Sequence, residues 1–145
     1  MRIAVISDIH GNLLALHAVV ADMQTRGVES VINLGDHLSG PLWPVETADF
    51  LMQQDWMQIR GNHERQLLEQ DPAKHNASDH YTYARLHEGH INWLRSLPTT
   101  IELDDGILAV HGAPGDDMCY LPETIANDRT HLSSTAEIRE KLNRT

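Results

Sequence analysis

"RIAVISDIHGN", residues 2–12, is an almost unbroken apolar run, rich in β-branched residues, that stops at an aspartate and a histidine one residue apart, Asp8 and His10. A run of this kind marks a strand buried on both faces and predicts a central strand. Beyond the loop, Leu13, Leu16, Val20 and Met23 recur at helical spacing until Arg26-Gly27, where a basic residue followed by glycine suits a helix C-terminus. The unit repeats. Residues 30–34, "SVINL", read as a strand ending in Gly35-Asp36, residues 45–55 as a helix begun just after Pro44, and residues 56–60, "WMQIR", as a strand ending in Gly61-Asn62-His63. Strands alternating with helices imply right-handed crossovers and a parallel sheet, so the fold class is α/β.

From about residue 64 to 97 the pattern becomes helical: "NHERQLLEQ" runs to Asp71-Pro72, "SDHYTYARLH" opens with a Ser78/Asp79 cap, and "EGHINWLRSL" ends before Pro98. "TTIEL" and "GILAVHG" then read as strands joined through Asp104-Asp105-Gly106, a hairpin signal, because primed turns need positive φ. Turn chemistry also accounts for that pair of carboxylates. Past "HGAPGDDMCYLPET" the tail is polar and loop-like until "TAEIREKLNR", a short helix with a threonine cap.

The 145 residues, 41% of them hydrophobic, are enough for one domain with one core, spanning 1–145. A net charge of −10 argues against a broad nucleic-acid surface, which needs clustered Lys and Arg. Cys119 is the single cysteine and cannot form an internal disulfide, which fits a reducing compartment. No apolar stretch is long enough for a membrane span or a signal core, so a cytoplasmic protein is expected. Of the ten histidines, His17, His75, His80, His87, His90 and His131 fall in helical or polar segments without a ligand-like partner pattern, and His37 takes no assigned role.

The remaining polar residues share one property: Asp8-Ile9-His10, Gly35-Asp36, Gly61-Asn62-His63 and His111-Gly112 each stand at the carboxyl end of an expected strand. In open α/β sheets ligands bind beyond those ends, so four distant segments should converge. Asp8 and His10, at i and i+2, face the same side if the chain stays extended. Oxygen and imidazole donors without thiolate suit Mn, Fe, Zn or Ni better than Ca or Mg. A carboxylate can bridge two cations about 3.5–4 Å apart, and Asp36 is the central candidate. Such a pair would clamp a phosphate ester and turn a water into a hydroxide nucleophile, and His63 could protonate the leaving alkoxide. The bland alternatives are an Asx turn at Asp8/His10, an N-cap at Asn62, and a strand-end surface arginine at Arg60.

"SDIHGN", "NLGDHLSGP", "IRGNHE" and "VHGAP", in this order, resemble the successive signatures of the calcineurin-like metallophosphoesterases, especially the compact bacterial phosphodiesterase branch. The resemblance covers Met1 to about Tyr120. It implies two facing sheets with helices outside, Asp8 and His10 on a first metal, Asp36 bridging, Asn62 and His111 on a second, and His63 as general acid. The implied cofactors are two divalent transition metal ions, manganese favoured, and the implied substrate is a small phosphodiester or phosphomonoester. Two departures stand out. The family pattern closes with a Gly-His-x-His segment that this chain lacks after His111; "GHIN" at 89–92 precedes the "VHG" strand and has Asn92 in place of the second histidine. The expectation is therefore a C-terminally incomplete domain with a shortened second sheet and each metal one ligand short. A catalytically impaired remnant, holding metal or phosphate, is the alternative to an active enzyme, and an open sheet edge is expected to favour a homodimer. Second, Ser39 stands where phosphoprotein phosphatases of the superfamily carry an aspartate that orients the general acid.

Overall fold

Three short parallel strands carry the architecture: β1 (Ile3–Ile6), β2 (Ser30–Asn33) and β3 (Met57–Gln58), hydrogen-bonded in the order β1-β2-β3. The computed structural model describes residues 2–103, 106–126 and 128–143. The crossovers are helices, as the alternating pattern predicts: α1 (Leu13–Thr25) between β1 and β2, and α2 (Pro44–Met52) between β2 and β3. Proline at the first turn of α2 needs no intrahelical N–H partner there. Asn12 caps α1, its side chain accepting from the Ala15 N–H at 3.1 Å, so Asp8 and His10 are not needed as caps.

The expected central position of the first strand is corrected. β2 is central, with Val31, Ile32 and Asn33 buried, whereas β1 lies at the edge and leaves Val5 60% exposed. An apolar run shows that both faces are greasy, but what covers them depends on elements elsewhere in the chain.

Three helices follow: α3 (Asn62–Glu69), α4 (Ala77–Tyr83) and α5 (Glu88–Ser96), with a 3-10 turn at Pro72–Lys74. Leu38, Ala48, Leu67 and Leu94 form the core cluster, one residue each from the loop after β2, α2, α3 and α5, with Leu86, Trp93 and Leu97 packed around it. The cap of α4 is Asn76, which accepts from the Asp79 N–H, not the Ser78/Asp79 pair expected. Asp79 is thereby free for another use.

The second sheet is the predicted antiparallel hairpin, β4 (Thr100–Leu103) and β5 (Ile107–Val110); Asp104 and Asp105 lie outside the described residues. Two bonds fasten it to the parallel sheet, Arg60 N–H to the Pro98 carbonyl and His111 Nδ1 to the Leu34 carbonyl, both at 2.8 Å. The tail departs from the expected loop. β6 (Glu123–Ala126) and β7 (Arg129–Leu132) form a further hairpin, and α6 (Thr135–Leu142) is capped by Ser134 instead of Thr135. Lys141 of α6 is buried and donates to the Tyr120 and Glu123 carbonyls and to the Thr124 and Ser133 hydroxyls, which holds helix to hairpin. Four-residue strands of mixed polarity carry little period-2 signal, which is why this hairpin escapes sequence reading. Among the described residues no helix is long and apolar enough to cross a membrane.

One buried carboxylate fixes the loops around the site. Glu64, fully buried on the first turn of α3, accepts from the backbone N–H of Asp36 (2.8 Å), His37 (2.9 Å) and Gly61 (2.9 Å). In return the Asp36 carboxylate accepts from the His63 N–H at 2.9 Å. The loops after β2 and β3 approach so closely that glycine is required on both sides: a Cβ on Gly35 would strike the Gly61 backbone nitrogen, and one on Gly61 would strike Asp36 Oδ1. Glu64→Gln turns one accepting oxygen into an NH₂ group facing backbone donors. Its unfolding free energy in urea should fall by about 2–3 kcal/mol with an unchanged m-value; a change within about 0.5 kcal/mol would show that this clamp is not a structural determinant.

Candidate metal centre

The loop after β1 is stitched to the loop after β2 by three backbone bonds: Asp8 N–H to Gly35 O, His10 N–H to Asp36 O and Gly11 N–H to His37 O, at 2.9–3.0 Å. These bonds force the chain out of the extended form. Asp8, His10 and Asp36 all take left-handed backbone, with φ of 56°, 49° and 56°. The extended i, i+2 geometry expected of Asp8 and His10 is thus overturned, yet the pair still meets, His10 Nε2 lying 3.7 Å from Asp8 Oδ1. Non-glycine residues in this region are held at a cost of order 1–3 kcal/mol each, and they concentrate at functional sites.

Asp36 stands at the middle. Its Oδ1 is engaged by the His63 N–H, while Oδ2 lies 3.8 Å from His10 Nε2 and 3.6 Å from His111 Nε2. Burial is the main cause that raises the pKa of this carboxyl; repulsion from Glu64 adds to it, while the His63 N–H bond, His111 and His63 oppose it. A cation beside Oδ2 would remove that penalty. His10, Asp36 and His63 offer ligand atoms within 4.8 Å of one another, and so do Asp8, Asp36 and His111; the two groups share Asp36.

The imidazoles are oriented by a common device. His10 Nδ1 donates to the Ser39 carbonyl (2.7 Å) and His111 Nδ1 to the Leu34 carbonyl (2.8 Å), because a carbonyl can only accept, and each bond turns the ring so that Nε2 faces Asp36. Asn62 is the first residue of α3 and Gly61 its N-cap, so the capping alternative for Asn62 fails; its Oδ1 lies 3.0 Å from His111 Nε2. All five residues predicted as ligands, Asp8, His10, Asp36, Asn62 and His111, therefore converge at the strand ends, and His63 lies beside them, its ring meeting that of His10 edge-on at 5.1 Å. They line a cavity of ≈ 730 Å³ whose far wall is the segment 117–122, including Cys119 and Tyr120. A second cavity of ≈ 530 Å³ is also lined by Asp8, His10 and His63, together with Pro41, Leu42 and Asn76.

Sequence reading missed two residues here. Glu64 is the last letter of the quoted "IRGNHE" and its position three residues into a helix was the available signal. Asp79 is 99% buried, held by Asn76 Nδ2, and its Oδ1 accepts from His63 Nδ1 at 2.9 Å. It occupies the orienting relation that Ser39 cannot supply; no local signal identified it, because the contact joins α4 to α3 across sixteen residues. Ser39 is itself buried with an unpartnered hydroxyl and contributes only its carbonyl. His37 is a core residue bridging Asn33 and the Ile59 carbonyl. Arg60 is partly buried, Nε without a partner, along a ≈ 390 Å³ cavity behind His111.

The chain matches the calcineurin-like phosphoesterase family over residues 1–141. It is similar to an uncharacterized protein of Methanocaldococcus jannaschii, 33% identical over 105 residues that make up 69% of this chain and 43% of that protein. Among solved structures it resembles a metallophosphoesterase from Sphaerobacter thermophilus (TM-score 0.66, 31% identity, 81% of this chain and 49% of that one). The fold is also that of a hypothetical protein from Pyrococcus horikoshii (TM-score 0.70, 19% identity, 96% of this chain and 63% of that one). The chain spans under half the length of the curated relative and about half that of the Sphaerobacter enzyme. Four ordered motifs, their convergence at the strand ends and a match running over nearly all of the sequence establish that this chain belongs to the calcineurin-like phosphoesterase family.

Proposed function

We propose that the protein is a dinuclear metal-dependent phosphoesterase acting on a small phosphodiester or phosphomonoester. The observation that carries the reading is Asp36 Oδ2, poised between two imidazole nitrogens at 3.8 and 3.6 Å, as a bridging carboxylate would be. Asp8 and His10 would hold one divalent cation, Asn62 and His111 the other, with Asp36 shared; the donor set of oxygen and imidazole fits manganese and its neighbours. Bound there, the cations would supply Lewis acidity to the phosphoryl oxygens and activate water for attack.

The protein's own groups supply orientation and a proton. The Ser39 and Leu34 carbonyls hold His10 and His111 with Nε2 inward. His63, its Nδ1 bonded to Asp79, presents Nε2 as the nitrogen from which a proton reaches the leaving alkoxide. The buried Asp79 carboxylate fixes the ring and stabilises it while charged. The two cavities that share His10 and His63 in their lining would give the two arms of a diester separate places to lie.

Bis-p-nitrophenyl phosphate should be hydrolysed by the chain with added Mn²⁺. Asp36→Asn should reduce the rate by at least about 10³-fold; inactivity of the wild type across Mn²⁺, Fe²⁺, Zn²⁺ and Ni²⁺ would refute the assignment.

The role of Asp79 shows in leaving-group dependence. Asp79→Asn should slow hydrolysis of an alkyl ester by about 10²-fold and barely affect a p-nitrophenyl ester, whose leaving group needs no proton. Equal losses on both esters would mean that Asp79 supports the fold alone.

Mn²⁺ should also raise the thermal midpoint of the wild type, and a chelator should reverse it, because a cation bound only to the folded state stabilises it. Asp36→Asn should abolish the rise; a midpoint indifferent to Mn²⁺ in the wild type would count against a folded-state metal centre.

A further inference from the structure

Outside that centre, one set of metal-ligating side chains has no part in the phosphoesterase reading. Asp49 on α2 and His87 and His90 at the start of α5 offer one ligand atom each within 4.8 Å of one another, and they share no residue with the groups around Asp36. We propose that these three residues form a separate site for a single borderline divalent cation, Zn²⁺ or its Ni²⁺ and Cu²⁺ neighbours, that staples α2 to α5.

Three observations carry this. First, the donors stand close to ligand spacing: His90 Nε2 lies 3.0 Å from Asp49 Oδ1, and neighbouring donors around a tetrahedral zinc ion with bonds of about 2.0–2.2 Å stand about 3.3–3.6 Å apart, a separation that the exposed Asp49 side chain reaches by moving a few tenths of an ångström. Second, His87 is placed beside His90. His87 is the N-cap of α5, three residues before His90, and its exposed ring lies against that of His90 with centroids 3.5 Å apart at 27°; because imidazole lone pairs lie in the ring plane, the free His87 ring turns out of the stack to share an ion with His90. Third, the fold makes little use of His90. It is fully buried, its Nδ1 has no partner, and its one side-chain hydrogen bond goes to a carboxylate that is 56% exposed. An aliphatic residue would pack in that place without the desolvation an imidazole suffers, whereas a ligand needs the nitrogen. Two imidazoles and a carboxylate, with solvent free to complete the shell at exposed Asp49 and His87, are the donor set of an open zinc site. Rigidity comes from beneath, where Ala48 and Leu94 join the same core cluster. Binding through Nε2 would leave the proton of the neutral His90 imidazole on Nδ1 and would clamp α2 to α5 in place of the His90–Asp49 hydrogen bond.

The test is calorimetric titration of Zn²⁺ into tag-free, chelator-stripped protein. Asp49→Asn and His87→Ala alter exposed side chains, and circular dichroism checks that each variant is folded. Each should bind one equivalent fewer than wild type, or bind that equivalent at least 10-fold more weakly. Asp8→Asn should remove a different equivalent, and the Asp8→Asn/His87→Ala double variant should lose both. Unchanged stoichiometry and affinity in the His87 and Asp49 variants overturns the proposal, as does a wild type that takes up no Zn²⁺ beyond what Asp8→Asn abolishes. Neither result touches the phosphoesterase reading, which is judged by Mn²⁺-dependent hydrolysis.

Discussion

A single buried carboxylate, Glu64, makes the centre of this protein possible. Three backbone N–H groups from two loops point at it, and without an acceptor each would be a buried donor left unsatisfied. Because Glu64 belongs to α3 and two of the donors to the loop after β2, the helix start and the loop are positioned together. The Asp36 carboxylate closes the circuit on the His63 N–H. The clamp has an electrostatic consequence. Two acids, Glu64 and Asp36, are buried side by side, and Asp36 is left resisting ionisation in a place where a cation would relieve it.

Around this clamp the side chains are aimed before any ligand arrives. Asp8, His10 and Asp36 sit in left-handed backbone, a conformation that persists only when its surroundings over-determine it. Here the ladder between the first two loops does so. Each histidine of the centre has its Nδ1 tied to a fixed acceptor, two to main-chain carbonyls and His63 to Asp79. An imidazole anchored this way loses little freedom on binding a cation or delivering a proton.

The support of His63 illustrates how a fold can replace a residue that a motif lacks. With Ser39 at the position where a carboxylate is expected, His63 looks unsupported in the linear sequence. Asp79 reaches it from α4, freed because Asn76 caps that helix. The centre is thus not a copy of the phosphoprotein phosphatase arrangement, but it meets the same requirement through a different element.

Much of this was legible in the chain itself. The apolar runs with their helical intervals determine the α/β class, and Asp8, His10, Asp36, Asn62, His63 and His111 stand at strand ends because strand ends are where such a sheet offers open space. These are properties of contiguous residues. The edge position of β1, the β6–β7 hairpin, the left-handed turns, and the pairing of Glu64 with the loop after β2, of Asp79 with His63 and of His90 with Asp49 were decided by the tertiary structure. Each depends on which distant group comes within about 3 Å, and local periodicity carries no information about that distance.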